Sequence, residues 1–97
     1  MATKQMNVKS SGFHPGDLSV NKNQDSVHFV QSGPNAPTSV TISSSALFGT
    51  TTCTVDANSQ GPNVYRILAT APDGDYTVDL PAQLTLDKNP GTIQVTG

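Results

Sequence analysis

The side chains that could do chemistry in this chain are few and are scattered along the sequence. His14, His28 and Cys53 are the only imidazole and thiol groups. A metal site would need such groups to converge with one another or with carboxylates at ligand spacing, and we find no such spacing around either histidine. We therefore expect both histidines to be exposed to solvent on different surfaces, and we keep an atypical metal-binding protein as the second alternative function.

Three carboxylates, Asp73, Asp75 and Asp79, stand close together in the sequence and superficially suggest calcium binding or paired acid and base chemistry. Asp75 and Asp79 alternate with Tyr76 and Val78, so a strand here would send both carboxylates outward. The loop spacing of an EF-hand is absent. We interpret these residues as solvated turn and edge charges, and we predict no metal site and no cofactor.

Hydroxyl groups cluster at residues 43–45 and 50–52, but no Gly-x-Ser-x-Gly elbow is present and neither histidine has an evident orienting acid. We therefore predict no catalytic residues and no enzymatic activity. Cys53 shares a strand face with Val55, which predicts a buried and unreactive thiol rather than a nucleophile.

Tyr65 and Arg66, the only arginine, are neighbours within one predicted strand. If Val64 and Arg66 face outward, Arg66 is placed to anchor a partner on a polar sheet face, and otherwise Tyr65 has that position. We predict that partner contacts involve these two residues and three positions in loops. The full set of candidate interaction residues is Tyr65, Arg66, Asn35, Thr38 and Asn89.

The sequence pattern predicts that short β-strands carry these residues. The chain has 97 residues, of which 34% are hydrophobic and 12% charged, which fits one small domain rich in exposed strands. Short alternating apolar runs lie between Gly, Pro and Asn clusters and predict a sandwich or a barrel. The eight predicted strands cover residues 4–9, 17–20, 26–31, 38–43, 52–55, 63–70, 75–80 and 92–96. One helical turn is an open alternative at residues 43–48.

The apolar positions of these strands predict one core. Its expected members are Met6, Phe13, Leu18, Val20, Val27, Phe29, Val40, Ile42, Ile67, Tyr76, Val78, Leu80, Ile93 and Val95.

Charge and hydropathy exclude two classes of partner. The net charge is -2, and the five Lys and Arg residues form no basic stripe, so we expect no nucleic-acid binding. No apolar run approaches the roughly 20 residues that a membrane-spanning helix requires. Without a signal-peptide pattern we expect a cytoplasmic protein, or a periplasmic or secreted one if an export segment has been trimmed.

Two parts of the sequence resemble the cupredoxin family. Residues 74–80 (GDYTVDL) and 89–95 (NPGTIQV) resemble its ending, in which a Gly-x-Tyr strand leads to Cys and a His loop leads to Met-x-Gly-x-Ile-x-Val. Residues 13–20 (FHPGDLSV) and 23–29 (NQDSVHF) are similar to its first two strands. The resemblance implies an antiparallel Greek-key β-sandwich of seven or eight strands, with an immunoglobulin-like sandwich as the alternative.

The copper ligands of that family are replaced in this chain. Leu80 stands where the family has cysteine, Asn89 where it has methionine, and no histidine occurs at residues 36–40 or between Leu80 and Asn89. A blue copper site needs thiolate and imidazole ligands, so the resemblance implies a scaffold without copper.

A retained scaffold without reactive ligands predicts a non-enzymatic module for protein interaction or self-association. The loops at residues 32–38 and 81–90 are its expected contact regions. Small-molecule or carbohydrate binding is the first alternative, although the chain has no Trp and only five Phe and Tyr residues together.

Overall fold

The computed structural model describes residues 2–10, 12–80 and 90–97. Within them the chain is all-β, and no helix there is long and apolar enough to cross a membrane. The nine strands are β1 (Ala2–Lys9), β2 (Gly12–His14), β3 (Asp17–Asn21), β4 (Asp25–Gln31), β5 (Ser39–Ile42), β6 (Thr52–Thr54), β7 (Val64–Arg66), β8 (Gly74–Asp79) and β9 (Gly91–Thr96).

These strands form two sheets whose inner side chains share one core. The first sheet has the order β2-β1-β4-β7 and the second has the order β3-β9-β8-β5-β6. Alternation sends every second side chain inward, as Leu18 and Val20 on β3 and Ile93 and Val95 on β9 illustrate. Every predicted core residue is buried except Phe13, which is half-buried and packs against the core.

The prediction of purely antiparallel sheets is wrong, because both sheets are mixed. β1 runs parallel to β4, and β3 runs parallel to β9. The physical reason is that the chain leaves the first sheet after β2, enters the second as β3, and returns to the first as β4. A strand that returns after such a crossover can lie parallel to an earlier strand, which a tight hairpin does not allow.

Two strand predictions also need correction. The additional strand β2 pairs with β1 through Val8 and Phe13, so the described residues form nine strands rather than seven or eight. The strand predicted at residues 63–70 ends at Arg66. Beyond it, the Leu68 N–H donates to the Leu47 carbonyl at 2.9 Å, and a turn closes from the Ala71 N–H to the Leu68 carbonyl.

The possible helical turn at residues 43–48 forms a hydrogen-bonded turn rather than a helix. The Gly49 N–H donates to the Ser45 carbonyl at 2.8 Å, and Ser44 Oγ accepts a bond from the Ala46 N–H. Gly49 has a φ of 88°, which glycine adopts without steric cost. The turn places Leu47 fully inside the core.

Candidate functional site

The strand β7 forms one edge of the first sheet and presents Arg66 to solvent. It pairs antiparallel with β4, with Arg66 opposite Ser26 and Val64 opposite His28. Val64 and Arg66 are exposed, whereas Tyr65 between them is half-buried. Of the two arrangements left open by the sequence, the structure therefore has the one in which Arg66 faces outward.

Tyr65 instead links the edges of the two sheets. Its hydroxyl accepts a hydrogen bond of 2.7 Å from the backbone N–H of Thr54 on β6, the edge strand of the second sheet. Its ring centroid lies 6.3 Å from that of Phe29 and 5.5 Å from that of Phe48. These contacts hold Tyr65 in place and occupy an edge donor that would otherwise face solvent.

The Arg66 side chain has no hydrogen bond or ion pair with any described residue. It lines a cavity of about 380 Å³, which we call the open cavity. The wall combines cationic, amide and apolar side chains, namely Lys22, Asn23, Arg66, Ile67, Leu68 and Ala69. Leu68 is 38% exposed, so part of this wall is apolar surface in contact with water.

Lys22 is held at the open cavity by two hydrogen bonds. Its Nζ donates to the Ala71 carbonyl at 2.9 Å and to Asp73 Oδ1 at 2.7 Å. An ammonium group has three N–H donors, so two are used here. The interpretation of Asp73 as a merely solvated turn charge is therefore incomplete, because this exposed carboxylate fixes the position of Lys22.

The expectation that His28 is exposed is wrong. His28 is only 3% exposed, and its Nε2 lies 2.7 Å from Asp56 Oδ2, which is the orienting acid that the sequence did not reveal. The reason is that residue 56 joins the edge of β4. The Asp56 N–H donates to the Phe29 carbonyl, and the Asp56 carbonyl accepts from the Gln31 N–H.

The Asp56 carboxylate is the centre of a polar group that we call the closed cluster, made of His28, Asp56 and Asn63. It accepts hydrogen bonds from the Asn63 backbone N–H at 2.9 Å and from the Asn63 side-chain amide at 2.6 Å. The Asn63 amide, together with His28, lowers the pKa of Asp56 below 3.8, although burial acts in the opposite direction. With its oxygens bonded and its surface 7% exposed, the carboxylate fastens residues 57–63 to β4.

His14 lies at the surface on β2 and is separated from β4 by β1. The register places Asn7 beside both His14 and Val30, so the two histidines share one sheet face rather than lying on different surfaces. Across residues 2–10, 12–80 and 90–97, no three His, Cys, Asp or Glu side chains form a group that could hold a metal ion.

The predicted loop residues are only partly described. Asn35 and Thr38 are exposed, and Asn35 has a φ of 62°. Their loop is tied to β4 because Gln31 Nε2 donates to the carbonyls of Ala36 and Pro37. Asn89 and residues 81–88 of the second predicted loop lie outside the described residues.

Cys53 is buried as predicted, and Val55 is buried on the same side. Burial raises the pKa of the Cys53 thiol from 9.0 to about 12. A thiol with this pKa holds almost no thiolate near neutral pH and is a poor nucleophile.

Sequence reasoning missed three residues of these sites, namely Lys22, Asp56 and Asn63. Asp56 begins a run rich in turn residues at 56–63, which signals a loop, but its partner His28 is 28 residues away. Lys22 stands in the turn at 21–25, and its partner Asp73 is 51 residues away. Local sequence patterns do not predict contacts between residues so far apart in the chain.

No protein-family model matches this chain, and no curated protein matches it. Its function must therefore be argued from the chemistry of the sites themselves.

Proposed function

We propose that this chain is a non-enzymatic module that binds another protein, or a second copy of itself, at the edge formed by β7 and the residues that follow it. The observation that carries the proposal is the arrangement around Arg66. Among the described residues, Val64 and Leu68 are the only large apolar side chains that are exposed, at 41% and 38%. They stand two residues before and two residues after Arg66.

Single exposed apolar residues are common and need no explanation. Here the two flank Arg66 in the sequence, Leu68 and Arg66 line the same cavity, and the Arg66 side chain has no partner among the described residues. Interfaces are enriched in arginine and apolar side chains, since the guanidinium group offers several donors and the apolar groups gain from losing water. An exposed arginine between two exposed apolar side chains has no evident role in the stability of the isolated chain.

The finer fold assignment, a copper-free cupredoxin-like sandwich, is part of this proposal. It is supported by the antiparallel pairing of β8 with β9, which the resemblance of the C-terminal third requires. Leu80, which stands where the family has cysteine, is 3% exposed. The two parallel strand pairs depart from the antiparallel sheets that this resemblance implies, and they depart equally from an immunoglobulin-like sandwich.

Neither alternative function has a specific observation in its favour. Carbohydrate sites use exposed aromatic rings as platforms, and the five aromatic side chains here are all buried or half-buried: Phe13, Phe29, Phe48, Tyr65 and Tyr76. An atypical metal-binding protein stays an alternative that elemental analysis of protein purified without chelators would test.

Site-specific crosslinking tests the proposal. A photoreactive amino acid at position 64 should capture a discrete protein partner or a second copy of the chain in the native host extract. The same group at position 94, an exposed residue of β9 in the other sheet, is the matched control and should capture neither. Equal yields at the two positions, or no capture combined with a monomer in sedimentation at high concentration, would contradict the proposal.

A further inference from the structure

We propose that the open cavity takes an acidic side chain from an extended segment of the partner, with a neighbouring apolar side chain of that segment lying against Val64 or Leu68. This inference rests on the proposed function and identifies the chemistry of the partner. It starts from the charges of the described residues and from the groups each of them contacts.

The other charges near this end of the molecule have partners. Lys22 contacts Asp73 at 2.7 Å, and Lys4 contacts Asp25 at 3.9 Å while donating to the Ser19 carbonyl. The Asp25 carboxylate also accepts from the Asn21 N–H. Arg66 also lines the cavity, but its guanidinium group is not paired with any carboxylate in the described structure.

Among the described residues, the wall of the open cavity has two cationic members, Lys22 and Arg66, and no carboxylate, while Asp73 pairs with Lys22 from outside the wall. A carboxylate from outside would balance this local positive charge. The planar fork of Arg66 suits a carboxylate because two parallel N–H donors match its two oxygens. The third N–H of Lys22 is a further donor at the same cavity.

The exposed apolar side chains near the open cavity favour a peptide ligand over a free carboxylate ion. Leu68 lines the cavity beside Arg66, and Val64 lies on β7 two residues before Arg66, so exposed apolar side chains flank the guanidinium group in the sequence. In an extended segment, residues two apart share a face at a spacing of about 7 Å. An acidic residue in the cavity would therefore bring the residue two positions away over Val64 or Leu68.

A phosphorylated segment is less suited to this cavity. A phosphate carries nearly two negative charges, and its recognition usually requires several arginine or lysine side chains. Here one cation is already neutralised by Asp73, which leaves Arg66 as the unpaired charge. A single carboxylate matches this balance better.

An array of short extended peptides tests the inference. Peptides should alternate Glu or Asp with Val or Leu, and each should have a matched peptide with Gln or Asn in place of the acid. The full chain should bind the acidic peptides, and the substitution Arg66→Gln should weaken that binding at least about tenfold. Lys9→Gln is the matched control, because Lys9 is exposed on β1, away from the cavity, and it should leave binding unchanged.

Several results would overturn the inference. They are no binding to any acidic peptide, equal binding to acidic and amide peptides, an unchanged affinity after Arg66→Gln, and a preference for phosphorylated peptides. Arg66 is exposed, so a thermal melt should show that Arg66→Gln is folded. If position 64 crosslinks a partner while the array shows no preference for acids, only this inference fails. If position 64 captures nothing and the chain sediments as a monomer at high concentration, the proposed function itself fails.

Discussion

Polar side chains at the two ends of the β4 and β7 strand pair differ in burial and in hydrogen bonding. At the end where His28 lies opposite Val64, the closed cluster satisfies its own hydrogen bonds and excludes water. At the end where Ser26 lies opposite Arg66, the arginine lines an open cavity, and its guanidinium group has no partner within residues 2–10, 12–80 and 90–97. The two ends lie two residues apart along β4.

The difference shows how hydrogen-bond satisfaction separates stability from recognition in this protein. A buried carboxylate is tolerated only when donors surround it, so the closed cluster contributes to stability and has little capacity left for a ligand. An exposed arginine without a partner contributes little to stability and keeps its donors available. Four experiments test this contrast between the closed cluster and the open cavity.

The largest expected effect is on the rate of thiol labelling. The experiment compares the buried thiol of Cys53 with a thiol placed at the open cavity. The rise in the pKa of Cys53 from 9.0 to about 12 lowers its thiolate fraction near neutral pH by about a thousandfold. We expect a disulfide reagent to label native Cys53 far more slowly than Cys53 in urea, because the native thiol is also fully buried and out of the reagent's reach. A thiol at the open cavity, from Arg66→Cys in a folded Cys53→Ala protein, should react at the unfolded rate. Rapid native labelling of Cys53 would show that the interior opens.

The substitution Gly61→Ala should damage the closed cluster. A Cβ at Gly61 would clash with Cγ of Asp56, whose carboxylate is held by hydrogen bonds and cannot move freely. We expect a loss of about 1 to 3 kcal/mol in the free energy of unfolding, measured in urea, which is typical of overpacking. Gly16→Ala is the control, since no atom lies within 4 Å of its new Cβ. Equal stabilities for the two variants would refute the tight fit at residue 61.

Acid should weaken the closed cluster through Asp56. Its pKa is lower in the folded protein than in the unfolded chain, mainly because of the Asn63 amide, so the carboxylate form is the one that the fold stabilises. This contribution is fully present above the unfolded pKa, near 3.8, and is lost as the pH falls through the folded pKa.

We therefore expect the urea midpoint to fall more steeply below about pH 4 for the natural chain than for Asp56→Asn. Asp56→Asn should itself be less stable near neutral pH, because it replaces one acceptor of the cluster with an amide donor. Asp75→Asn, an exposed control, should keep the acid sensitivity of the natural chain. The same acid sensitivity in all three proteins would place its origin elsewhere.

The smallest expected effect on stability belongs to Arg66→Gln. Because the Arg66 side chain is exposed and lacks a partner in the part of the chain that the structure describes, we expect its removal to change the free energy of unfolding by less than about 0.5 kcal/mol. Urea denaturation at low salt measures this difference. A loss above about 1 kcal/mol would mean that Arg66 has a structural role, and the contrast between the two ends would no longer hold.

Local pattern predicted much of the fold. Alternation identified the inward residues of β3, β4, β8 and β9, because the side chains of a strand point to opposite faces regardless of its partner. The same rule predicted the burial of Cys53 beside Val55. The strand direction within each sheet did not follow from pattern, because parallel and antiparallel pairing place the same alternation on a sheet.

Local sequence pattern was enough to predict an all-β fold, many of the core residues, and the opposite facing of Tyr65 and Arg66, but it did not predict core members such as Leu47 and Ala71. These properties depend on local alternation and on turn residues. The burial of His28, the contact of Lys22 with Asp73, and the lack of any described partner for the Arg66 side chain follow from the tertiary structure alone. Such pairings join residues tens of positions apart, and they exist only once both sheets have formed and each charge has found, or failed to find, a partner in space.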